Sequence, residues 1–297
     1  RYFLNPVKLS VSFMKHLCYD KWMKQSYDSR EWYARKQFVT LFEEICTTEG
    51  LSLTWFCDQW IARVQKNDTA IFINGYSFPL NTAPASDGMR DKVATYEILT
   101  TAGIPAIAHH LVRLSKLRET TGVVEQVLAA SPLPLVVKPT SGENGGFDVY
   151  KCATEQEVTE AVEQLASRHR SLAVGPLVNI AHEYRVIVLD NTPLLVFEKI
   201  RNGREWRHNL KLGATPKVVT DQTIKTEVSA LAVRALKAMQ GRVAAVDVAK
   251  TPDDYKVMEI NSGATLDRFS MHSPEYRAIT VDIYTQIVEK SLTSVTM

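Results

Sequence analysis

Between Val243 and Ser262 two short apolar runs each end in oxygen-bearing side chains: Val243-Ala-Ala-Val-Asp247, then Met258-Glu259-Ile260-Asn261. Short apolar runs of this kind read as strands, and alternation along a strand points Glu259 and Asn261 to the same face. Two acids and an amide at strand ends suit a hard cation. Mg²⁺ takes oxygen ligands, keeps part of its water and uses one or two protein carboxylates beside substrate phosphates. Asp247, Glu259 and Asn261 are therefore candidate metal ligands, and a nucleotide is the molecule such a site would handle. Solvated charge at the end of a surface strand would look the same, so the rest of the chain has to decide.

A second feature lies upstream. Leu133-Pro-Leu-Val-Val-Lys138-Pro139 is an apolar strand ending in lysine, followed by Thr-Ser141-Gly142-Glu-Asn-Gly145-Gly146 and a second strand at Phe147-Asp-Val149-Tyr. This is a hairpin whose glycine-rich tip exposes backbone N–H groups beside a cation. Glycines allow close backbone approach, and unpaired amides form an anion-binding nest. No Gly-Lys-Ser/Thr follows the glycines and no Gly-x-Gly-x-x-Gly opens a helix, so neither a P-loop nor a dinucleotide fingerprint is present.

Further segments complete an ordered series. Asp91-Lys92-Val-Ala-Thr-Tyr-Glu-Ile-Leu-Thr-Thr-Ala-Gly103-Ile-Pro105 precedes the hairpin; His182-Glu183-Tyr-Arg185-Val-Ile-Val, Phe197-Glu-Lys199, and Trp206-Arg207-His-Asn209-Leu with Gly213 follow it. From about Asp91 to Arg268 this series resembles the ATP-grasp superfamily, and within it the carboxylate–amine ligases of the RimK, cyanophycin synthetase and D-alanine–D-alanine ligase type. The resemblance implies an α/β chain, α+β within its subdomains. It would have an N-terminal pre-ATP-grasp α/β domain over residues 1–88, a central lid over 89–170 and a C-terminal antiparallel-sheet catalytic subdomain over 171–297. It also implies ATP with Mg²⁺, expected as two ions with Mn²⁺ able to substitute.

Carried over by position, the resemblance makes Lys92 and Lys138 phosphate contacts, with Ser141, Gly142, Gly145 and Gly146 covering the phosphates. Val174, Gly175 and Leu177 fall in the adenine hinge, and Glu183 is the ribose-binding acid. Arg185, Lys199, Arg207 and Asn209 surround the triphosphate and acyl group. Two departures matter. The hinge reads Val174-Gly175-Pro176-Leu177, and Pro176 has no N–H to donate. After Asn261 the chain reads Ser-Gly263-Ala-Thr-Leu-Asp-Arg268, without the Pro-Gly of the relatives, which puts the acceptor substrate in doubt. His208 stands where RimK-like proteins carry a serine. It is a candidate base for an incoming amine, although an amine can attack without one.

Composition limits the alternatives. With 297 residues and 45% apolar content the chain can bury a core and should form more than one domain. A formal charge of +2 offers no concentrated basic surface for nucleic acid. No apolar stretch approaches the roughly 20 residues of a membrane span, and the opening residues lack the layout of a secretory signal. Cys18, Cys46, Cys57 and Cys152 show no zinc or redox spacing. These features lead to the expectation of a cytoplasmic protein with reduced thiols that binds neither nucleic acid nor membrane. Self-association stays open.

In the first 88 residues, helical patterns over Pro6–Gln25 and Glu31–Ile45 precede Leu51–Phe56 and Ala70–Ile73, which read as strands flanking a helical Asp58–Val64, a β-α-β unit. The aromatic group Trp22, Trp32, Tyr33, Trp55, Phe56 and Trp60 reads as core. Asn74–Gly88 reads as a linker, Ile104–Ile107 as a strand and His109-His110 as surface. Helices are expected over Glu155–Ser167, Thr223–Met239 and Pro274–Leu292, and a hairpin turning at Asp190-Asn191.

The chemistry implied is ADP-forming ligation of a small-molecule amino acid or peptide carboxylate to an amine through an acyl phosphate, promoted by positioning and charge neutralisation. A small-molecule kinase like the inositol phosphate kinases that share the fold is the alternative. A highly phosphorylated substrate would call for more cations than the near-neutral charge advertises. A non-catalytic nucleotide-binding module would lack the metal residues.

Overall fold

The computed structural model describes residues 37–114, 122–142, 146, 148–203 and 205–295. The chain divides into two compact units, Arg1–Gly75 and Tyr76–Met297. Cys18, Trp22, Trp32, Tyr33 and the first expected helix lie outside the described residues.

In the first unit, helix α1 (Gln37–Thr48) buries Phe38, Leu41, Phe42 and Ile45, the three-and-four spacing of an amphipathic helix. It stops at Gly50, whose φ of 64° is the left-handed conformation a helix C-terminus favours. Strands β1 (Ser52–Phe56), β2 (Ile61–Lys66) and β3 (Thr69–Asn74) follow as an antiparallel meander. The expected β-α-β unit is thus corrected: Asp58–Val64 is turn and strand. Cys57, Asp58 and Gln59 all take positive φ and reverse the chain at once, pairing Phe56 with Ile61. From there Ala62 and Val64 are buried while their neighbours are less so, a period of two that no helix uses. Trp55 packs edge-on to Phe38, with ring centroids 5.6 Å apart. Phe56, expected in the core, is exposed and lies against Phe72.

The second unit begins with helix α2 (Ala83–Arg90), where a linker was expected. Thr82 caps it by accepting from the Ala85 N–H, Pro84 sits in its first turn, where its missing N–H costs nothing, and Ala85 and Met89 are buried. Helix α3 (Lys92–Thr101) starts at Asp91, whose carboxylate accepts from the N–H groups of Val93 and Ala94 at 2.9 and 3.0 Å. Ile104–Ile107 makes an isolated bridge to Val257 and no strand.

Two antiparallel sheets follow. The smaller, ordered β4-β7-β5-β6, comprises β4 (His110–Arg113), β5 (Leu135–Pro139), β6 (Tyr150–Cys152) and β7 (Ser171–Pro176). Helices α4 (Val123–Ala130) and α5 (Glu155–Ala166) cover one face, burying Val127, Leu135, Val137, Val158, Val162, Leu165 and Val174 together. Thr154 and Glu157 form a reciprocal capping box at the start of α5. The larger sheet, ordered β10-β9-β8-β11-β12, comprises β8 (His182–Leu189), β9 (Thr192–Ile200), β10 (Thr215–Val218), β11 (Val243–Lys250) and β12 (Tyr255–Asn261). Helix α6 (Gln222–Ala238) packs on Tyr184, Val186, Val188, Ala244, Val246 and Val248. Alternation turns Glu183, Arg185 and Asp247 to the opposite face. Helices α7 (Asp267–Ser270) and α8 (Pro274–Val295) come last. Among the described residues no helix is long and apolar enough to cross a membrane, and Cys46, Cys57 and Cys152 are free thiols.

Candidate active site

A cavity of about 540 Å³ is walled by the smaller sheet, the polar face of the larger sheet, the segments 107–109, 175–180 and 206–211, and Arg201, Gly263, Thr265, Arg268 and Phe269. Register brings the acids together: β11 pairs Asp247 with Glu259 on β12 and with Arg185 on β8, and Ala245 with Asn261. Three residues on β8 and β11 thereby meet two on β12 over one patch of sheet.

The charges form a chain. Arg185 grips Asp247 with Nε to Oδ1 and Nη2 to Oδ2, both 2.8 Å. Lys199 Nζ lies 2.6 Å from Glu183 Oε1 and 2.9 Å from Asp247 Oδ2, and Asn261 Nδ2 approaches Asp247 Oδ2 at 3.4 Å. Burial alone would push the Asp247 carboxyl up, but Arg185 and Lys199 outweigh it and hold the pKa down to about 2. Arg185 is likewise penalised by burial and still held above its usual range by Asp247. Glu183 goes the other way: burial dominates and raises its pKa, despite the ammonium of Lys199. Glu198, beside Lys199 in sequence, turns outward to His182, as alternation requires.

On the opposite wall, burial pushes Lys138 down to about 8; Lys92 adds to that, and Glu259 and Glu183 oppose it. Lys92 lines the same space, its N–H donating to the Thr140 carbonyl at 2.8 Å. β5 pairs antiparallel with β6, which begins at Tyr150 where a strand over Phe147–Tyr150 was expected. Gly142 and Gly146 line the cavity, Ser141 is exposed and outside the lining, and Gly145 lies outside the described residues. Arg207 donates to the Gly146 carbonyl and is also held by Glu205 at 2.9 Å. A Cβ on Gly146 would sit 3.1 Å from Asn209 Nδ2, so the loop carrying Arg207 and Asn209 closes on the hairpin.

Of the hinge residues, Gly175 and Leu177 line the cavity with Pro176. Val174 does not: its side chain is fully buried in the core beneath the smaller sheet. The Leu177 N–H is already taken by the Pro134 carbonyl at 3.0 Å. Gly175 faces the Ala108 carbonyl so closely that a Cβ there would collide with it. His109, expected on the surface, is buried and lines the cavity. Burial first, then Lys138 and Lys92, lower its pKa well below the ordinary value, which keeps the ring neutral. Sequence reading missed it because its signal was two adjacent histidines after an apolar run, with no spacing to mark one as buried. Arg201, Asn179 and Arg268 also line the cavity and lie in segments where composition gave no lead.

Among the described residues no three His, Cys, Asp or Glu side chains come close enough to hold an ion by themselves. The donors present are two carboxylates and an amide. That set fits a hard cation sharing phosphate oxygens and water, and it does not fit a self-sufficient cage.

A model of the RimK-like ATP-grasp domain matches residues 89–290. Similar sequences include a probable alpha-L-glutamate ligase of Rhodopirellula baltica, 24% identical over 241 residues, covering 79% of this chain and 54% of that protein. One of the same name from Azotobacter vinelandii is 26% identical over 196 residues, covering 64% of this chain and 61% of that protein. The chain thus spans between half and two thirds of the length of these relatives. Among solved structures, D-alanine–D-alanine ligase from Bacillus anthracis complexed with ATP superposes with a TM-score of 0.55 at 20% identity, covering 72% of this chain and 69% of that one. That likeness establishes the fold.

Proposed function

We propose, from the premise that this chain belongs to the RimK-like ATP-grasp family, that it is an ATP-dependent, ADP-forming ligase joining a carboxylate to an amine. The observation that carries this is the convergence of Lys138, Arg185, Lys199, Arg207 and the Asp247–Glu259–Asn261 oxygen set on one cavity. In this reading residues 89–170 are the lid and 171–297 the catalytic part.

Lys92 and Lys138 bind phosphate oxygens as point charges, while the planar fork of Arg207 suits two-point contact with the transferred phosphoryl group. Asp247, Glu259 and Asn261 would hold Mg²⁺, taken as two ions and replaceable by Mn²⁺. Bound there, the metal supplies charge neutralisation at phosphate oxygens. Glu183 takes the ribose hydroxyls. The substrate carboxylate attacks the γ-phosphorus and ADP leaves. The amine then attacks the acyl carbon, and phosphate leaves with the electron pair of the C–O bond. Arg185 and Lys199 stabilise the oxyanion of that second step. The names of the relatives make L-glutamate the first acid to test, among amino acids and peptides.

The test is ADP and phosphate release across amino acids and dipeptides, with mass spectrometry of the products. One phosphate should appear per product whose mass is acid plus amine less water. A phosphorylated substrate isolated intact, with no condensation product, would make the protein a kinase and overturn the proposal.

A further inference from the structure

His208 lines the same cavity, between Arg207 and Asn209, and the roles given above leave it unused. Its Nδ1 lies 2.9 Å from the Lys199 carbonyl oxygen. A carbonyl only accepts, so Nδ1 carries the proton and Nε2 the lone pair. The residue is 7% exposed, and Nε2 is buried with no hydrogen-bond partner among the described residues. An acceptor left unsatisfied in a protein interior loses its hydration without compensation, and native structures keep few of them without a reason. What this atom lacks is a hydrogen donor, and His208 lines the reaction cavity, where a ligand would bring one.

We propose that His208 Nε2 is the general base that captures the amine substrate, an inference that rests on the ligase reading. The amine arrives as an ammonium, and Nε2 takes one proton from it. The freed nitrogen lone pair forms the C–N bond with the acyl carbon. As the tetrahedral adduct collapses, the C–O bond to phosphate breaks and phosphate leaves with that electron pair, accepting the second nitrogen proton. The imidazolium then returns its proton to water.

The experiment compares two nucleophiles. His208→Asn keeps a side-chain N–H for the Lys199 carbonyl and removes Nε2. With MgATP and L-glutamate as the carboxylate, the amine is L-glutamate in one arm and hydroxylamine in the other. An amino acid is an ammonium at neutral pH and needs the base; hydroxylamine is already neutral and does not. Amide formation should fall about 100-fold or more, the range of a lost general base, while hydroxamate formation falls less than about threefold. Equal loss in both arms would mean that His208 only shapes the loop, and undiminished amide formation would mean that it has no role; either overturns the inference alone. No amide and no hydroxamate from the wild type, with L-glutamate or with any other amino acid or dipeptide of the screen above, would overturn the ligase reading and this inference with it. Binding of a non-hydrolysable ATP analogue checks that the variant is folded. If it is not, His208→Gln, which keeps a polar atom near the Nε2 position but cannot accept the proton, gives the same comparison.

Discussion

At the scale of single residues, the site is governed by which charge has enough partners. Asp247 has two cations on its two oxygens and stays ionised. Arg185→Met would leave it with Lys199 alone, and breaking a buried pair from one side costs about 3–5 kcal/mol. A fall of that size in unfolding free energy is expected from urea titration at pH 7. The sign with pH follows from a folded pKa of about 2, below the usual carboxylate value. The pair stabilises the wild type above the unfolded pKa, and that stability is lost as pH falls toward 2. Lys138 behaves oppositely. Burial lowers it to about 8, and phosphate would raise it again, so the bound state holds the proton to higher pH than the free state. Affinity for a non-hydrolysable ATP analogue should therefore be full below pH 8 and decline above it. Lys138→Met should bind more weakly and lose that decline, which calorimetric titration measures. An affinity that rose with pH would show that no ammonium meets the phosphates.

Elements were legible wherever the pattern came from burial on one face. Val158, Ala161, Val162 and Leu165 mark α5, Val228, Leu231, Ala232 and Ala235 mark α6, and Asp190, with its φ of 50°, turns β8 into β9 as expected. The misreadings fall where a few backbone angles decide. Three consecutive left-handed residues at Cys57–Gln59 turned a short amphipathic stretch into a strand, because nothing in the composition announces such a reversal. Helix α2 was hidden by the turn-forming residues of Asn81–Gly88, which serve there as caps and first-turn residues. Asn81 itself binds the Val243 carbonyl and the N–H groups of Arg242 and Val243, a tie across 162 positions that no local pattern carries. Gly175 shows the same limit from the other side. Its role is to let β7 pass the Ala108 carbonyl, so Gly175→Ala should lower stability by about 1–3 kcal/mol, the usual cost of overpacking. Thermal unfolding would detect this as a fall in Tm, and an unchanged Tm would mean that the segment at 107–109 yields freely.

At the scale of the whole molecule, the sequence placed Asp247, Glu259 and Asn261 at one site because strand alternation is strict and acids at 247 and 259 can share a face only if their strands pair, while Lys92, Glu183, Arg185, Lys199, Arg207 and Asn209 came from the resemblance. It named fewer of the residues on the connecting segments, where His109 and Arg268 reach the cavity through loop paths. Glu259→Gln combined with Asn261→Ala should abolish ATP turnover at limiting Mg²⁺ while leaving the circular dichroism spectrum unchanged. Full turnover would remove the metal assignment. Lys199 has a consequence at this scale too. Its single ammonium bridges Glu183 and Asp247, so the proposed ribose end and the proposed metal end draw on one proton-bearing group. A ligand that occupies Glu183 releases Lys199 toward Asp247, and a metal at Asp247 releases it toward Glu183. Nucleoside and metal then cannot bind independently. Whatever factor Mg²⁺ imposes on adenosine affinity, adenosine must impose on Mg²⁺ affinity, and Lys199→Met should bring that shared factor toward one.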